Sequence, residues 1–306
     1  MNHTPRARAL NLEIKSLRRT AYFFLAPALI PIFVFFFLPA LAAFILSFTD
    51  FDIYSLSNFQ YVRFVGLKNY LQLSSDPLFW QAMRNTFYYV LAGGPLAIVA
   101  SLATALLLNS KLIPYKSFFR AVYFAPVVTT LVAVAVVWRF LYHPRFGLLN
   151  YALGFLGLAP IDWLGDPTWA MPAIILMSIW KNYGYNMIIF IAGLQSIPQD
   201  LYEAAHMDGA NAWQQFKSIT LPMLAPTTVF VSIIAMIGNF QLFTEPYVMT
   251  QGGPVNSTLS LVLLMYQQGF RWWNLGYSAA IAFVLFGIIL LGSLLQAQLQ
   301  KKREGQ

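Results

Sequence analysis

Long stretches without charged residues divide the chain. No Asp, Glu, Lys or Arg occurs within residues 20–49, 85–110, 218–244 or 272–300. Each stretch is longer than the roughly 20 residues that a helix needs to cross the hydrocarbon core of a bilayer. Two further apolar stretches are weaker, because 121–138 is short and 169–194 contains Lys181. The pattern predicts an all-α integral membrane protein with six transmembrane helices, at about 21–48, 85–109, 119–140, 169–194, 219–244 and 276–298.

The composition supports this prediction, since 58% of the 306 residues are hydrophobic and only 10% are charged. Soluble domains carry about 25% charged residues. The net charge of +8 follows the predicted topology, so it does not indicate a nucleic-acid partner. Basic residues are twice as frequent on the side of the chain termini as on the opposite side, which places both termini in the cytoplasm. The terminal side carries Arg6, Arg8, Lys15, Arg18, Arg19, Lys111, Lys116, Arg120, Lys217, Lys301, Lys302 and Arg303, and the opposite side carries Arg63, Lys68, Arg84, Arg139, Arg145 and Arg271.

The domain organisation that follows is simple. Residues 1–20 are predicted as a basic cytoplasmic tail and 21–300 as one transmembrane domain. The apolar stretch 21–48 exceeds the 7–15 residues of a signal-peptide core, so it is predicted to be an uncleaved first span.

Sequence signals for catalysis and metal binding are missing. There is no cysteine, no Gly-x-x-x-x-Gly-Lys-Ser/Thr phosphate loop and no His-Glu-x-x-His motif. The three histidines, His3, His143 and His206, are scattered over both sides of the predicted membrane. Lys181 is the one ionisable side chain expected deep within a span. We therefore predict no catalytic residue, no metal site and no cofactor bound by this chain.

The cytoplasmic loop 198–218 carries the most specific signal. It contains Glu203-Ala204-Ala205, then Gly209 after three residues, Ile219 after nine more, and Leu221-Pro222. Spacing and identities resemble the cytoplasmic EAA signature of permeases from binding-protein-dependent ABC importers. Residues 24–50, 146–150, 193–198 and 247–254 resemble the carbohydrate-uptake type of these permeases, and the resemblance covers the chain from about residue 20.

The resemblance implies a role for this loop. In the family it forms a coupling helix that enters a groove of the ATPase subunit. The ATPase-coupling residues implied here are Glu203, Ala204, Ala205, Asp208, Gly209, Ile219, Leu221 and Pro222. The small side chains of Ala204 and Ala205 would let a partner approach the backbone. Glu203 equally suits the positive end of a helix dipole, and Asp208 suits a solvated loop.

A polar stripe marks the fourth span. Ser178, Lys181, Asn182 and Tyr185 follow the i, i+3, i+4, i+7 spacing of one helix face. Such a stripe either bonds to neighbouring helices or lines a solute pathway. On the fifth span Ser232 and Asn239 are seven residues apart, and Gln241 and Glu245 follow toward the outside. The family resemblance favours the pathway and implies that Asn182, Tyr185 and Asn239 hold the solute. Lys181 would favour an anionic group on the solute.

The resemblance also implies the partners. They are a second homologous permease, two ATPase subunits that bind ATP and Mg, an extracytoplasmic solute-binding protein, the lipid bilayer and a sugar-like substrate. The expected location is the bacterial inner membrane. The end of the chain, 296–306, lacks a glycine-rich tail and resembles the first of the two permeases. The alternative is a stand-alone secondary transporter or channel, which predicts inverted repeats and more intramembrane carboxylates.

Overall fold

The computed structural model describes residues 5–56, 62–110 and 113–304. Within these ranges the chain is helical, and its β-type contacts are two isolated bridges. The α-helices are α1 Pro5–Ile32, α2 Leu38–Leu46, α3 Lys68–Ser75, α4 Pro77–Asn109, α5 Lys116–Val128, α6 Leu131–Leu141, α7 Leu148–Phe155, α8 Pro167–Gln195, α9 Gln199–Met207, α10 Ala212–Gln215, α11 Leu221–Met223, α12 Ala225–Phe240, α13 Thr244–Met249, α14 Leu261–Tyr266 and α15 Leu275–Glu304. Single π-helical segments occupy Phe33–Phe37, Phe216–Thr220 and Gln267–Arg271, and Tyr54–Leu56 is one 3₁₀ turn.

The predicted all-α membrane fold is confirmed. Among the described residues, five helical segments are long and apolar enough to cross a membrane, and α5 with α6 adds a sixth if that bent pair counts as one span. The first helix begins at Pro5, so most of the predicted tail continues into the first span. Lys111 lies outside the described residues. The five segments are Thr20–Leu46, Pro77–Asn109, Pro167–Gln195, Ala225–Met249 and Leu275–Gln298.

The third predicted span, at about 119–140, is not a single helix. It consists of α5 and α6, which meet at an angle of 97°. Thr129 and Thr130 between them have extended backbone conformations. The Thr129 hydroxyl donates to the carbonyl of Pro126 at 2.6 Å, which closes the end of α5. A hydropathy pattern does not register such a break, because apolar residues continue on both sides of it.

Helix α8 forms the centre of the bundle. Of its most apolar stretch, 56% is buried, whereas none of the corresponding stretch of the first span is. It packs along α4 and α5. At Gly184 a Cβ atom would lie 2.3 Å from the carbonyl oxygen of Tyr123, so α5 and α8 approach through a residue without a side chain.

Short helices and loops cover the ends of the spans opposite to α9. Buried Asn69 on α3 donates to the carbonyls of Ser47 and Thr49 at 2.9 and 2.8 Å. The Tyr277 hydroxyl on α15 donates to Asp76 at 2.6 Å. These bonds hold the first loop against the bundle and leave the space between α4, α8 and α12 to form the site.

Candidate functional site: a polar cavity inside the bundle

A cavity of about 470 Å³ lies between α4, α8, α12, α13 and the junction of α5 with α6. It is large enough for a small organic ligand, for which pockets of about 300–1,000 Å³ are typical. All six residues predicted to line a solute pathway lie on its wall. They are Ser178, Lys181, Asn182 and Tyr185 from α8, and Asn239 and Gln241 from the end of α12.

Two members of the α8 stripe also bond to neighbouring helices. The ammonium group of Lys181 donates to the carbonyl oxygen of Val127, at the end of α5, at 3.1 Å. The Ser178 hydroxyl lies 3.5 Å from a carboxylate oxygen of Glu245, which accepts a long hydrogen bond. Ser178 and Lys181 are both buried. Interhelical bonding therefore accounts for the two buried positions of the stripe, and the solute pathway stays a prediction for the stripe as a whole.

Glu245 corrects the sequence interpretation. The charge pattern placed it at the start of an outer loop and left Lys181 as the one ionisable group inside the bundle. In the structure Glu245 is only 7% exposed and lines the same cavity as Lys181. It is buried because α13 folds back against α6, where Arg139 donates to the carbonyl of Val248 at 3.3 Å. Since the cavity holds one basic and one acidic residue, Lys181 alone does not indicate an anionic solute.

Four neutral polar groups of the wall have no hydrogen-bond partner within the described chain. Within the described chain, the side-chain amides of Asn182, Asn239 and Gln241 make no hydrogen bond to protein atoms, nor does the hydroxyl of Tyr185. Tyr185 is 47% exposed. Amides both donate and accept, and a phenol does the same, so these four groups suit a ligand rich in hydroxyls.

Sequence reasoning missed two further cavity residues, and one residue of the fifth span does not line the cavity. Tyr89 on α4 and Asn186 on α8 are buried and line the cavity. Tyr89 lies in an apolar stretch whose periodicity does not distinguish a core tyrosine from a cavity tyrosine. Asn186 follows Asn182 by one helical turn, which could have extended the stripe. Ser232, seven residues before Asn239, instead donates to the carbonyl of Thr228 at 2.7 Å.

The loop with the EAA-like sequence forms a second candidate site at the other end of the bundle. Glu203, Ala204 and Ala205 lie on α9, with Glu203 and Ala204 exposed. Asp208 caps the end of α9, and Gly209 follows with φ of +82°. The amide of Ala210 donates back to the carbonyl of Ala205 at 2.9 Å, so the glycine ends the helix.

The segment after α9 returns to the membrane and fixes the position of that helix. The Tyr202 hydroxyl lies 2.8 Å from the Thr220 hydroxyl, a contact that the sequence motif did not include. Ile219 packs against the core cluster around Leu194 and Leu224. Leu221 and Pro222 are exposed on α11, just before α12. Three large apolar side chains of this loop are exposed, Leu201 and Met207 on α9 and Trp213 on α10.

The described residues contain no group of three or more His, Cys, Asp or Glu side chains that could hold a metal ion. A bundle of apolar spans around a polar cavity, with an exposed helix at one end, has the architecture of a solute permease. The sequence profile described as "Binding-protein-dependent transport system inner membrane component" matches residues 97–305. The chain belongs to this family of multi-pass membrane transport components, which are not enzymes.

Similar proteins cover nearly the whole chain. The arabinooligosaccharides transport system permease protein AraP of Bacillus subtilis is 37% identical over 293 residues, which are 95% of this chain and 91% of AraP. The lactose transport system permease protein LacF of Rhizobium radiobacter is 36% identical, covering 92% and 94% of the two chains. A crystal structure of a bacterial alginate ABC transporter, in complex with alginate pentasaccharide-bound periplasmic protein, contains a chain with a TM-score of 0.81 at 22% identity. That alignment covers 94% of this chain and 96% of the other.

Proposed function

We propose that the chain is the first of two permease subunits in an ATP-driven importer of the bacterial inner membrane, and that its solute is a saccharide. The observation that carries the proposal is the cavity, whose unbonded amides and phenol can exchange hydrogen bonds with sugar hydroxyls. Lys181 and Glu245 supply opposite charges on its wall, which suits a solute without net charge. The names of AraP and LacF support the same substrate class.

In this proposal α9 transmits the action of the ATPase. Two ATPase subunits bind ATP and Mg, and one of them receives α9 in a groove. The exposed Glu203 and Ala204, together with Met207, which is 86% exposed, offer it an uncovered contact surface. A second permease completes the pathway, and an extracytoplasmic binding protein delivers the solute to the opposite ends of the spans.

Uptake by a reconstituted complex tests the substrate class and the energy source together. The chain is co-expressed with its second permease, ATPase and binding protein, and proteoliposomes are supplied with radiolabelled glucose, lactose, maltose, maltotriose and arabinotriose. We expect uptake of at least one saccharide only with internal ATP and the binding protein. Uptake by this chain alone, without ATP, would instead establish a secondary transporter. No uptake of any saccharide would contradict the substrate class.

A matched pair of glycines tests the role of α9. Gly209 after α9 and Gly157 after α7 have φ of +82° and +70°, and at both positions a Cβ atom would meet nothing within 4 Å. Valine at either site therefore introduces the same kind of backbone strain, of order 1–3 kcal/mol. We expect Gly209→Val to lose ATPase subunits during purification and Gly157→Val to retain them. Equal retention of ATPase subunits in the two variants would show that α9 does not form the proposed contact.

A further inference from the structure

An aromatic cluster lies beyond the cavity, at the ends of the spans opposite to α9. It consists of Phe243, Tyr247, Tyr266 and Phe270. The ring of Phe243 lies 5.2 Å from the rings of both Tyr247 and Tyr266, measured between centroids. Tyr247 and Tyr266 are 5.4 Å apart, and Phe270 stacks on Tyr266 at 5.6 Å. The four rings form one connected apolar surface that joins α13 to α14 and the segment after it.

A pocket of about 100 Å³ opens on this cluster, and we name it the mouth pocket. Its volume exceeds that of a single-water site, which needs roughly 10–15 Å³. Tyr247 is 41% exposed there, and Arg271 is exposed as well. The residues lining the mouth pocket are Tyr247, Gln251, Leu263, Tyr266, Gln267 and Arg271.

The aromatic cluster borders both the mouth pocket and the cavity. Phe243 lines the cavity, and its ring contacts Tyr247 and Tyr266, which line the mouth pocket. The two spaces are therefore neighbours that these packed rings separate.

Three polar side chains of the mouth pocket are without hydrogen bonds in the described chain. The side chains of Gln251, Gln267 and Arg271 make no hydrogen bond there, and the ion pair found among described residues joins Arg63 to Asp50 instead. The arginine supplies five donors, and each glutamine supplies both donors and an acceptor. Aromatic faces beside such groups match the two sides of a sugar ring, which offers C–H bonds on its faces and hydroxyls around its edge.

We propose that the mouth pocket is a second saccharide subsite, where a sugar ring stacks on Tyr247 and Tyr266 and bonds through its hydroxyls to Gln251, Gln267 and Arg271. The proposal rests on the proposed function, because it takes the solute to be a saccharide. A solute of two or more rings would place one ring here while another reaches the cavity past Phe243. The subsite receives the solute when the binding protein releases it.

The test measures uptake by the complete complex at saturating binding protein, using the same five radiolabelled saccharides. Three variants are compared. Tyr266→Ala removes the aromatic face for stacking, and Tyr266→Phe keeps it. Arg271→Gln removes hydrogen-bond donors from an exposed side chain. Tyr151→Ala serves as the control, because Tyr151 is 67% exposed and lines neither the cavity nor the mouth pocket. Aromatic contacts of this kind correspond to a loss of about two- to tenfold.

We expect Tyr266→Ala and Arg271→Gln to lower the uptake rate by about two- to tenfold. Tyr266→Phe and Tyr151→Ala should keep the rate of the unaltered complex. Unchanged uptake in both Tyr266→Ala and Arg271→Gln would overturn the subsite and leave the proposed function standing. Reduced recovery of the second permease with either variant would show a subunit contact, which also overturns it. If the unaltered complex takes up no saccharide, the proposed function fails first.

Discussion

Asn239 provides the sharpest test of the cavity, because its side chain has no structural task in the described chain. It lies on the cavity wall with an unbonded amide. Asn239→Ala should therefore remove hydrogen bonds to the solute and none within the protein. One bond contributes about 0.5–1.5 kcal/mol net. At 1.4 kcal/mol per factor of ten, uptake at limiting solute should fall by roughly two- to tenfold for each bond lost, with no change in melting temperature.

Asn150 is the matched control, since the same substitution there should have the opposite effect. Its amide donates to the carbonyls of Pro144 and Ile161, and its oxygen accepts from the amide of Ile161 and the indole of Trp163, all at 2.8–3.1 Å. Asn150→Ala leaves these groups without partners, at about 1–3 kcal/mol for each group that stays buried. The melting temperature should drop, while uptake per folded complex stays close to normal.

For each variant, uptake and melting temperature are measured on the same preparation of complex in nanodiscs. Uptake is normalised to the amount of assembled complex. The reasoning is refuted if Asn239→Ala melts at a lower temperature and transports normally. The amide would then bond within the assembled transporter rather than to the solute.

Two further predictions concern charge and topology. Lys181→Met and Glu245→Gln should each lower the melting temperature. The double variant should lose less stability than the two single variants together, with a coupling energy above about 0.5 kcal/mol in a double-mutant cycle. Strict additivity of the two effects would show that the side chains do not interact. Because the chain has no cysteine, Met207→Cys and Val255→Cys, at positions 86% and 82% exposed, can be labelled singly by a membrane-impermeant maleimide. We expect Val255→Cys to react from outside intact cells and Met207→Cys only after lysis, whereas labelling from the same side would contradict the six-span topology.

The spans could be predicted because lipid imposes a simple rule on sequence. A helix that crosses the bilayer must remain apolar for about 20 residues, and charge-free intervals record that requirement directly. The α8 stripe could be predicted for a similar reason, since Ser178, Lys181, Asn182 and Tyr185 depart from that rule on one face of a helix. The end of α9 could be located because only glycine adopts the conformation of Gly209 without strain.

The breaks in the spans could not be predicted from the same rule. Thr129 and Thr130 interrupt the third span without lowering its hydropathy enough to be noticed. The burial of Glu245 depends on the turn between α12 and α13, which packs α13 against α6 and places the carboxylate beside Ser178 on α8. Both features depend on tertiary structure, because contacts between helices that are distant in sequence determine them.

Lys181 belongs to the polar stripe, which could be predicted, and it bonds at the helix break, which could not. A helix that ends within a membrane exposes carbonyl groups, and unsatisfied carbonyls are tolerated there only beside protein partners or water. The break after α5 leaves the carbonyl of Val127 at the cavity, and Lys181 donates to it at 3.1 Å. A cation near the carboxyl end of a helix is also favoured by the helix dipole. The lysine is thus explained by the break it satisfies, without an anionic solute. The neutral groups Asn182 and Asn239, which no helix end requires, are the ones that we propose bind the solute.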